Sequence, residues 1–348
     1  MKIAIATVQI SFVKGGAEFL AENLKNALIE RGHEAEIITM PFVDSNPLVL
    51  ENHIVASRLL DINNSWGGHH DLCIALKFPA YYMPHDNKVV WALHQHRAAY
   101  DLFDTEYSNI KNDATGNKVR NMIYNADRKY LSEAKAIYTI AQNVSNRMEK
   151  YTHIHSTPLY HPCPDMDKFY HDEYGDYILM PSRINITKRQ MLALEAMTYT
   201  KSDVKLCLLG RAENDIVKEQ LLTYIKEHGL EKRVQYMDFV PQDKKLEIYA
   251  KAKAILFIPK DEDYGYITLE GMAASKPVIT MKDSGGPLEF ITDGETGIVS
   301  DTDARELARH LDEVWTSKAL SEEYGRKGRK ALKDMDITWD HVVKELVK

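Results

Sequence analysis

The sequence predicts an α/β protein with two domains, each a parallel sheet covered by helices. Three observations carry that expectation. Short apolar runs rich in β-branched residues alternate with stretches of helical periodicity along the chain. The alternation breaks at residues 158–176, where three prolines and few apolar repeats mark a linker, and then it restarts. At 348 residues the chain also exceeds what one core usually holds, so two domains of roughly 160 to 180 residues are expected.

Taken in order, residues 2–8 read as a buried first strand, and Gly15-Gly16 as a turn that lets a ligand approach the backbone closely. A helix over 17–31 ends at Gly32, and 34–40 is a second strand. Residues 41–70 look less regular. Strands follow at 71–78 and 89–93, the latter running into the polar cluster His94-Gln95-His96-Arg97, then Tyr100 and Asp101. Polar groups at a strand's carboxyl end sit where ligands bind in an α/β domain, although helix capping or domain packing would use the same residues. Residues 104–117 read as a mobile loop, 118–134 as a helix, 136–141 as a strand and 143–151 as a helix.

Past the linker, strands are expected at 176–184, 205–210, 234–240 and 255–258, with helices over 188–200, 213–228 and 243–252 between them. Right-handed crossovers would make this a second parallel sheet. A helix then opens at Gly265 or Tyr266, another strand begins at Val278, residues 284–297 form a glycine-rich turn region, and helices over 304–318 and 321–347 finish the chain. Arg183 and Lys188 bracket the turn after the first of these strands; a fixed fork of donors beside a mobile ammonium suits a pyrophosphate. Seven residues separate Glu262, on a loop, from Glu270, about one turn inside the helix that follows. Alone, such an acidic pair is a solvated helix face. A helix N-terminus at Tyr264-Gly265-Tyr266 offers free N–H groups to a phosphate, and Glu270 could accept from sugar hydroxyls.

The string from Glu262 through Gly265 and Glu270 to Ala273-Ala274-Ser275 and Lys276-Pro277-Val278-Ile279 resembles the E-x7-E segment of retaining glycosyltransferases of family 4. Arg183 and Lys188 match that family's R-x4-K pair, and Gly15-Gly16-Ala17-Glu18 resembles its GGAE loop. Two positions depart from the pattern: Ser275 stands where glycine is usual, and Tyr264 where phenylalanine is usual. The specific motifs lie within 176–300, whereas the first half matches in outline.

The resemblance implies the GT-B fold, two Rossmann-like domains facing a central cleft, here 1–168 on the acceptor side and 169–331 binding the donor, with about 332–348 packing back on the first. It implies transfer of a sugar from a UDP- or GDP-sugar to the hydroxyl of a glycan or lipid-linked acceptor. Glu262 would hold donor-sugar hydroxyls, Glu270 the ribose, Arg183 and Lys188 the diphosphate, together with the helix start at Tyr264, Gly265 and Tyr266. Gly15 and Gly16 would lie over the diphosphate. His94, preferred over His96 because it is nearer the strand end, would stand near sugar and acceptor. No cofactor or metal beyond the donor is expected. Another GT-B enzyme, an epimerase or a phosphorylase, or a non-catalytic nucleotide-sugar binder would share these motifs.

Composition narrows the rest. Hydrophobic residues make up 44% and charged ones 27%, as in ordinary soluble proteins. A net charge of −7 disfavours nucleic acid as a partner. Cys73, Cys163 and Cys207 are too scattered for a disulfide frame or a metal cluster. His69-His70 lacks a third ligand at suitable spacing, and Asp261-Glu262-Asp263 spells a D-x-D pattern inside a frame that needs no divalent ion. The N-terminus carries no cleavage signal and no run approaches ~18 apolar residues, so a cytoplasmic protein is expected, with peripheral contact at the inner face of a membrane left open.

Overall fold

The structure, a computed structural model, describes residues 1–12 and 15–348. It divides into two compact units, 1–164 with 337–348, and 165–336. In the first, β1 (Lys2–Gln9) leads through α1 (Gly16–Glu30) to β2 (Glu34–Pro41) and α2 (Pro47–Leu59). A small antiparallel hairpin, β3 (Asn64–Ser65) and β4 (Gly68–His69), precedes β5 (Leu72–Ala75) and β6 (Lys88–Ala92). Then come α3 (Ala114–Tyr130), β7 (Ala136–Thr139), α4 (Gln142–Thr152) and β8 (Thr157–Pro158). The sheet runs β2-β1-β5-β6-β7-β8 with every pair parallel. Its chain order reverses between β1 and β5, and at such a point the strand ends open a crevice on the carboxyl edge.

The second unit contains β9 (Ile178–Pro181), α5 (Gln190–Tyr199), β10 (Leu206–Leu209), α6 (Asp215–Glu227) and β11 (Val234–Met237). It continues with α7 (Gln242–Lys251), β12 (Ala254–Leu256), α8 (Tyr266–Ala273), β13 (Val278–Met281), β14 (Gly297–Ser300), α9 (Ala304–Thr316) and α10 (Lys318–Asp334). Its parallel sheet runs β11-β10-β9-β12-β13-β14, so the reversal falls between β9 and β12. The four inner strands, β9, β10, β12 and β13, are short and buried on both faces, as parallel strands under helices must be. Helix α11 (Trp339–Leu346) belongs to the first unit, where Arg31 pairs with Asp340 and the Trp339 and Trp91 rings meet edge to face.

Four expectations need correction. The stretch 41–70 contains α2: Asn46 accepts from the Leu48 N–H, Pro47 occupies the first turn, and Leu50 and Ile54 face the core. The expected mobile loop 104–117 is a bonded turn with Ile110 buried, and α3 starts inside it because the Asp113 carboxylate caps the Gly116 N–H. The turn region expected over 284–297 ends earlier, since Gly297 already pairs with β13 and opens β14, a strand that was not expected. The single helix expected over 321–347 is two, parted where Asp336 takes a left-handed φ of 49° and Thr338 caps α11.

At the amino edge of β13, Lys276 is fully buried; its ammonium stands 3.0 Å from His171 Nδ1 and donates to the Glu173 carbonyl. Burial pushes its pKa down to about 7 from 10.5, with Asp172 and Glu173 opposing. Above pH 7 the unfolded lysine keeps a proton that the folded one has lost, so stability rises with pH until about 10.5. Urea unfolding is expected to show a gain of about 3 kcal/mol between pH 6.5 and pH 9.5. The Lys276→Met variant should lack that slope; an equal slope in both proteins assigns it elsewhere.

Candidate functional site

The carboxyl edge of the second sheet gathers several of the expected residues. After β9 the chain turns through Arg183 to Lys188, and this turn is pinned from below by Gln190, whose amide donates to Ser182 Oγ at 2.7 Å and to the Arg183 carbonyl at 3.2 Å. Asn185 caps the turn by accepting from the Lys188 N–H. After β12 the segment 260–262 runs alongside it. The Lys260 N–H donates to the Thr187 carbonyl at 2.8 Å, and the Asp261 and Glu262 N–H groups donate to the Asp283 and Ser284 carbonyls, also at 2.8 Å. Glu262 is thereby fixed between two turns, and its carboxylate pairs with the Lys188 ammonium. Both side chains are partly buried, and Lys188 also stands over the Phe257 ring. The Arg183 side chain is exposed and makes no ion pair or hydrogen bond among the described residues.

Two glycines let the loops close on one another. Gly265, ahead of α8, holds φ 87° with Phe257 and Pro287 against the space a Cβ would occupy. Gly286 is tighter: a Cβ there would come within 2.7 Å of the Asp263 and Tyr264 carbonyl oxygens. The Gly286→Ala variant is expected to fold with a modest loss, on the order of 1–3 kcal/mol, while displacing the 262–265 loop. Thermal unfolding and ligand binding on the same protein check it, and wild-type behaviour in both would show that the loops tolerate the methyl.

Glu270 is buried in α8, where Lys245 donates to Oε1 at 2.6 Å and Tyr249 donates to Oε2. Each oxygen retains a further lone pair. Tyr264 is buried, with its ring 5.5 Å from Phe290, whereas Tyr266 is half-buried beside it.

The remaining expected residues lie in the first unit. Gly15 precedes α1 and donates its N–H to Glu18 Oε2 at 2.7 Å; Gly16 is exposed in the first turn. His94 follows β6, half-buried, with Nδ1 2.6 Å from the Gln95 carbonyl oxygen. That contact requires the proton on Nδ1. His96 is buried against Phe78 and is kept neutral, burial first and then His94 and Lys77 lowering its pKa to about 3. His69 is exposed on the hairpin, and no group of three or more His, Cys, Asp or Glu among the described residues could hold a metal.

Sequence reasoning missed the residues that hold the acids in place. Lys245 and Tyr249 lie 25 and 21 positions from Glu270. Arg189, whose guanidinium grips Asp283 bidentately and so ties the 183–189 turn to the 283–286 turn, is 94 positions from its partner. Only their helical spacing of four could have drawn attention to the first two.

Residues 165–331 match the family described as glycosyl transferases group 1. The alpha-1,3/1,6-mannosyltransferase ALG2 of Dictyostelium discoideum is 30% identical over 125 residues, which is 36% of this chain and 30% of that protein. The N-acetylgalactosamine-N,N'-diacetylbacillosaminyl-diphospho-undecaprenol 4-alpha-N-acetylgalactosaminyltransferase of Campylobacter jejuni is 26% identical over 161 residues, 46% of this chain and 43% of that one. The chain thus spans less than half the length of these curated relatives. Among solved structures, sucrose-phosphate synthase from Thermosynechococcus elongatus superposes with a TM-score of 0.78 at 15% identity, covering 99% of this chain and 96% of that one. Anabaena Alr3699/HepE in complex with UDP and glucose gives 0.71 at 16% identity, covering 100% and 98%. The fold is therefore GT-B.

Proposed function

We propose, since residues 165–331 match the family described as glycosyl transferases group 1, that the chain moves a hexosyl group from a UDP- or GDP-sugar to an acceptor hydroxyl with retention of configuration. The observation that carries this reading is the meeting of Lys188 and Glu262 at the sheet's reversal point, with the Arg183 guanidinium exposed on the same turn. A diphosphate placed there meets two cations and the N-terminal N–H groups of α8, which are aimed where charge builds on the leaving group. Lys188 then exchanges its carboxylate partner for a phosphate oxygen, and Glu262 accepts from donor-sugar hydroxyls. Glu270 takes the ribose hydroxyls through its remaining lone pairs, with Lys245 and Tyr249 fixing the carboxylate.

In this scheme the leaving phosphate itself accepts the acceptor proton, so the new glycosidic bond forms on the face from which the diphosphate departs. Charge is met by Arg183, Lys188 and backbone donors, without a divalent ion. The acceptor is a glycan or a lipid-linked sugar, the latter favoured by the diphospho-undecaprenol in the name of the Campylobacter jejuni relative. No helix among the described residues is long and apolar enough to cross a membrane.

A thermal-shift panel of UDP-, GDP-, ADP- and TDP-sugars tests the donor. The matching nucleotide at ~100 times its dissociation constant should add about 2.7 kcal/mol. NMR of the anomeric proton in the product tests retention. An inverted product rejects the mechanism, and no shift from any nucleotide sugar rejects the whole reading.

A further inference from the structure

Helix α7 presents two adjoining faces. Lys245 and Tyr249 form one, holding Glu270. Lys244, Glu247, Ile248 and Lys251, at i, i+3, i+4 and i+7, form the other and line a pocket of 280 Å³ against β10 and β11. Its floor mixes apolar and polar groups: the Cys207 and Met237 sulfurs lie 3.7 Å apart, Gln235 lines it as well, and the Tyr177 hydroxyl is already donated to the Ile248 carbonyl at 2.6 Å. Its rim carries two lysines. Lys244 and Lys251 sit 2.8 and 3.0 Å from opposite oxygens of Glu247, so the lining residues carry one net positive charge, with Asp172 and Glu173 near Lys251 outside the lining. The two lysines hold Glu247 ionised, with its pKa lowered to about 2.

We propose that this pocket binds a monoanion with an apolar body, of the medium-chain carboxylate class, its chain along the Cys207 and Met237 sulfurs and its carboxylate on the N–H groups of Lys244 and Lys251 that Glu247 leaves over. The fit is one of size and of charge. The volume takes about nine water-sized groups at ~30 Å³ each, close to the ten heavy atoms of octanoate. Each lysine, having given one N–H to Glu247, has others to offer. A divalent anion would exceed the single charge the rim can match, and a neutral chain would leave the lysines unused.

Occupancy also braces α7, and through Lys245 and Tyr249 it braces the carboxylate assigned above to the nucleotide ribose. This coupling rests on the proposed donor role of Glu270. Because linkage is reciprocal, octanoate should tighten nucleoside diphosphate binding by the same factor by which the nucleotide tightens octanoate.

Titration calorimetry of the full chain with octanoate tests the site. Octanoate should bind at least tenfold more tightly than octanol. The Lys244→Gln, Lys251→Gln double variant should weaken it at least tenfold, and Gln235→Trp, which fills the pocket from its exposed edge, should abolish it. Absent heat, or undiminished binding in these variants, overturns the proposal. With saturating octanoate, UDP or GDP affinity should rise two- to fivefold; an unchanged affinity overturns the coupling. A chain that takes octanoate but no nucleotide would instead defeat the donor assignment and leave the pocket standing.

Discussion

Replacing Lys188 with alanine is expected to lower glycosyl transfer about 10²- to 10³-fold while changing unfolding free energy by no more than about 1 kcal/mol. The same result is expected for Glu262→Ala. The two effects separate because the pair stands on backbone that is secured without it. Segment 260–262 is tied by main-chain hydrogen bonds to Thr187, Asp283 and Ser284, and the 183–189 turn is anchored by Gln190 and by the Arg189 clamp on Asp283. Removing one ionic partner therefore leaves the loops in place. What disappears is a cation where the leaving diphosphate develops charge, or a carboxylate where the sugar presents hydroxyls. Release of nucleoside diphosphate at saturating donor, measured beside thermal unfolding, separates the cases. Wild-type turnover removes the residue from the site, and a parallel collapse of stability would make the pair a structural one.

The positions that would carry this chemistry were legible because their signals are local. Arg183 and Lys188 bracket one turn, and Glu262 and Glu270 straddle one helix start, so spacing along the chain already fixes their relation to a strand end. Their supports were not legible. Arg189 reaches Asp283 across the sheet edge, and Lys245 meets Glu270 between two helices, contacts that only the tertiary arrangement creates. The same distinction separates the elements. Alternating β and α runs announced two parallel sheets, whereas β14, rich in turn-forming neighbours, became a strand only through its register with β13. In 41–70 the irregular look hides a helix start: an Asn cap at Asn46 and a Pro in the first turn at Pro47.

Asp127→Ala is expected to cost about 3–6 kcal/mol, a large effect for one side chain. Asp127 is wholly buried on α3 and accepts from three tyrosine hydroxyls: Tyr81 at 3.1 Å, Tyr82 at 2.6 Å, and Tyr100. Tyr81 and Tyr82 belong to the turn after β5, and Tyr100 closes the turn that begins at His94 after β6. One carboxylate therefore binds two carboxyl-edge loops to the helix beneath them. Alanine strands three buried donors at about 1–3 kcal/mol each, less what relaxation recovers. Asparagine retains one acceptor oxygen and should cost about 1–3 kcal/mol, which keeps the test open if the alanine variant does not fold.

Burial raises the Asp127 pKa from 3.8 to about 6 against the pull of the three hydroxyls, and this supplies an independent readout. Between those values the folded chain keeps a proton that the unfolded chain has released, so stability falls as pH rises through the window and is level above it. The wild type should lose about 3 kcal/mol across that span relative to Asp127→Asn. Amide hydrogen exchange at Ala99 and Tyr100 should quicken in both variants, since the loop that carries His94 is then held by fewer bonds. Wild-type unfolding with unchanged exchange in the alanine variant would mean that the tyrosines find other acceptors, and that this carboxylate does not set the position of His94.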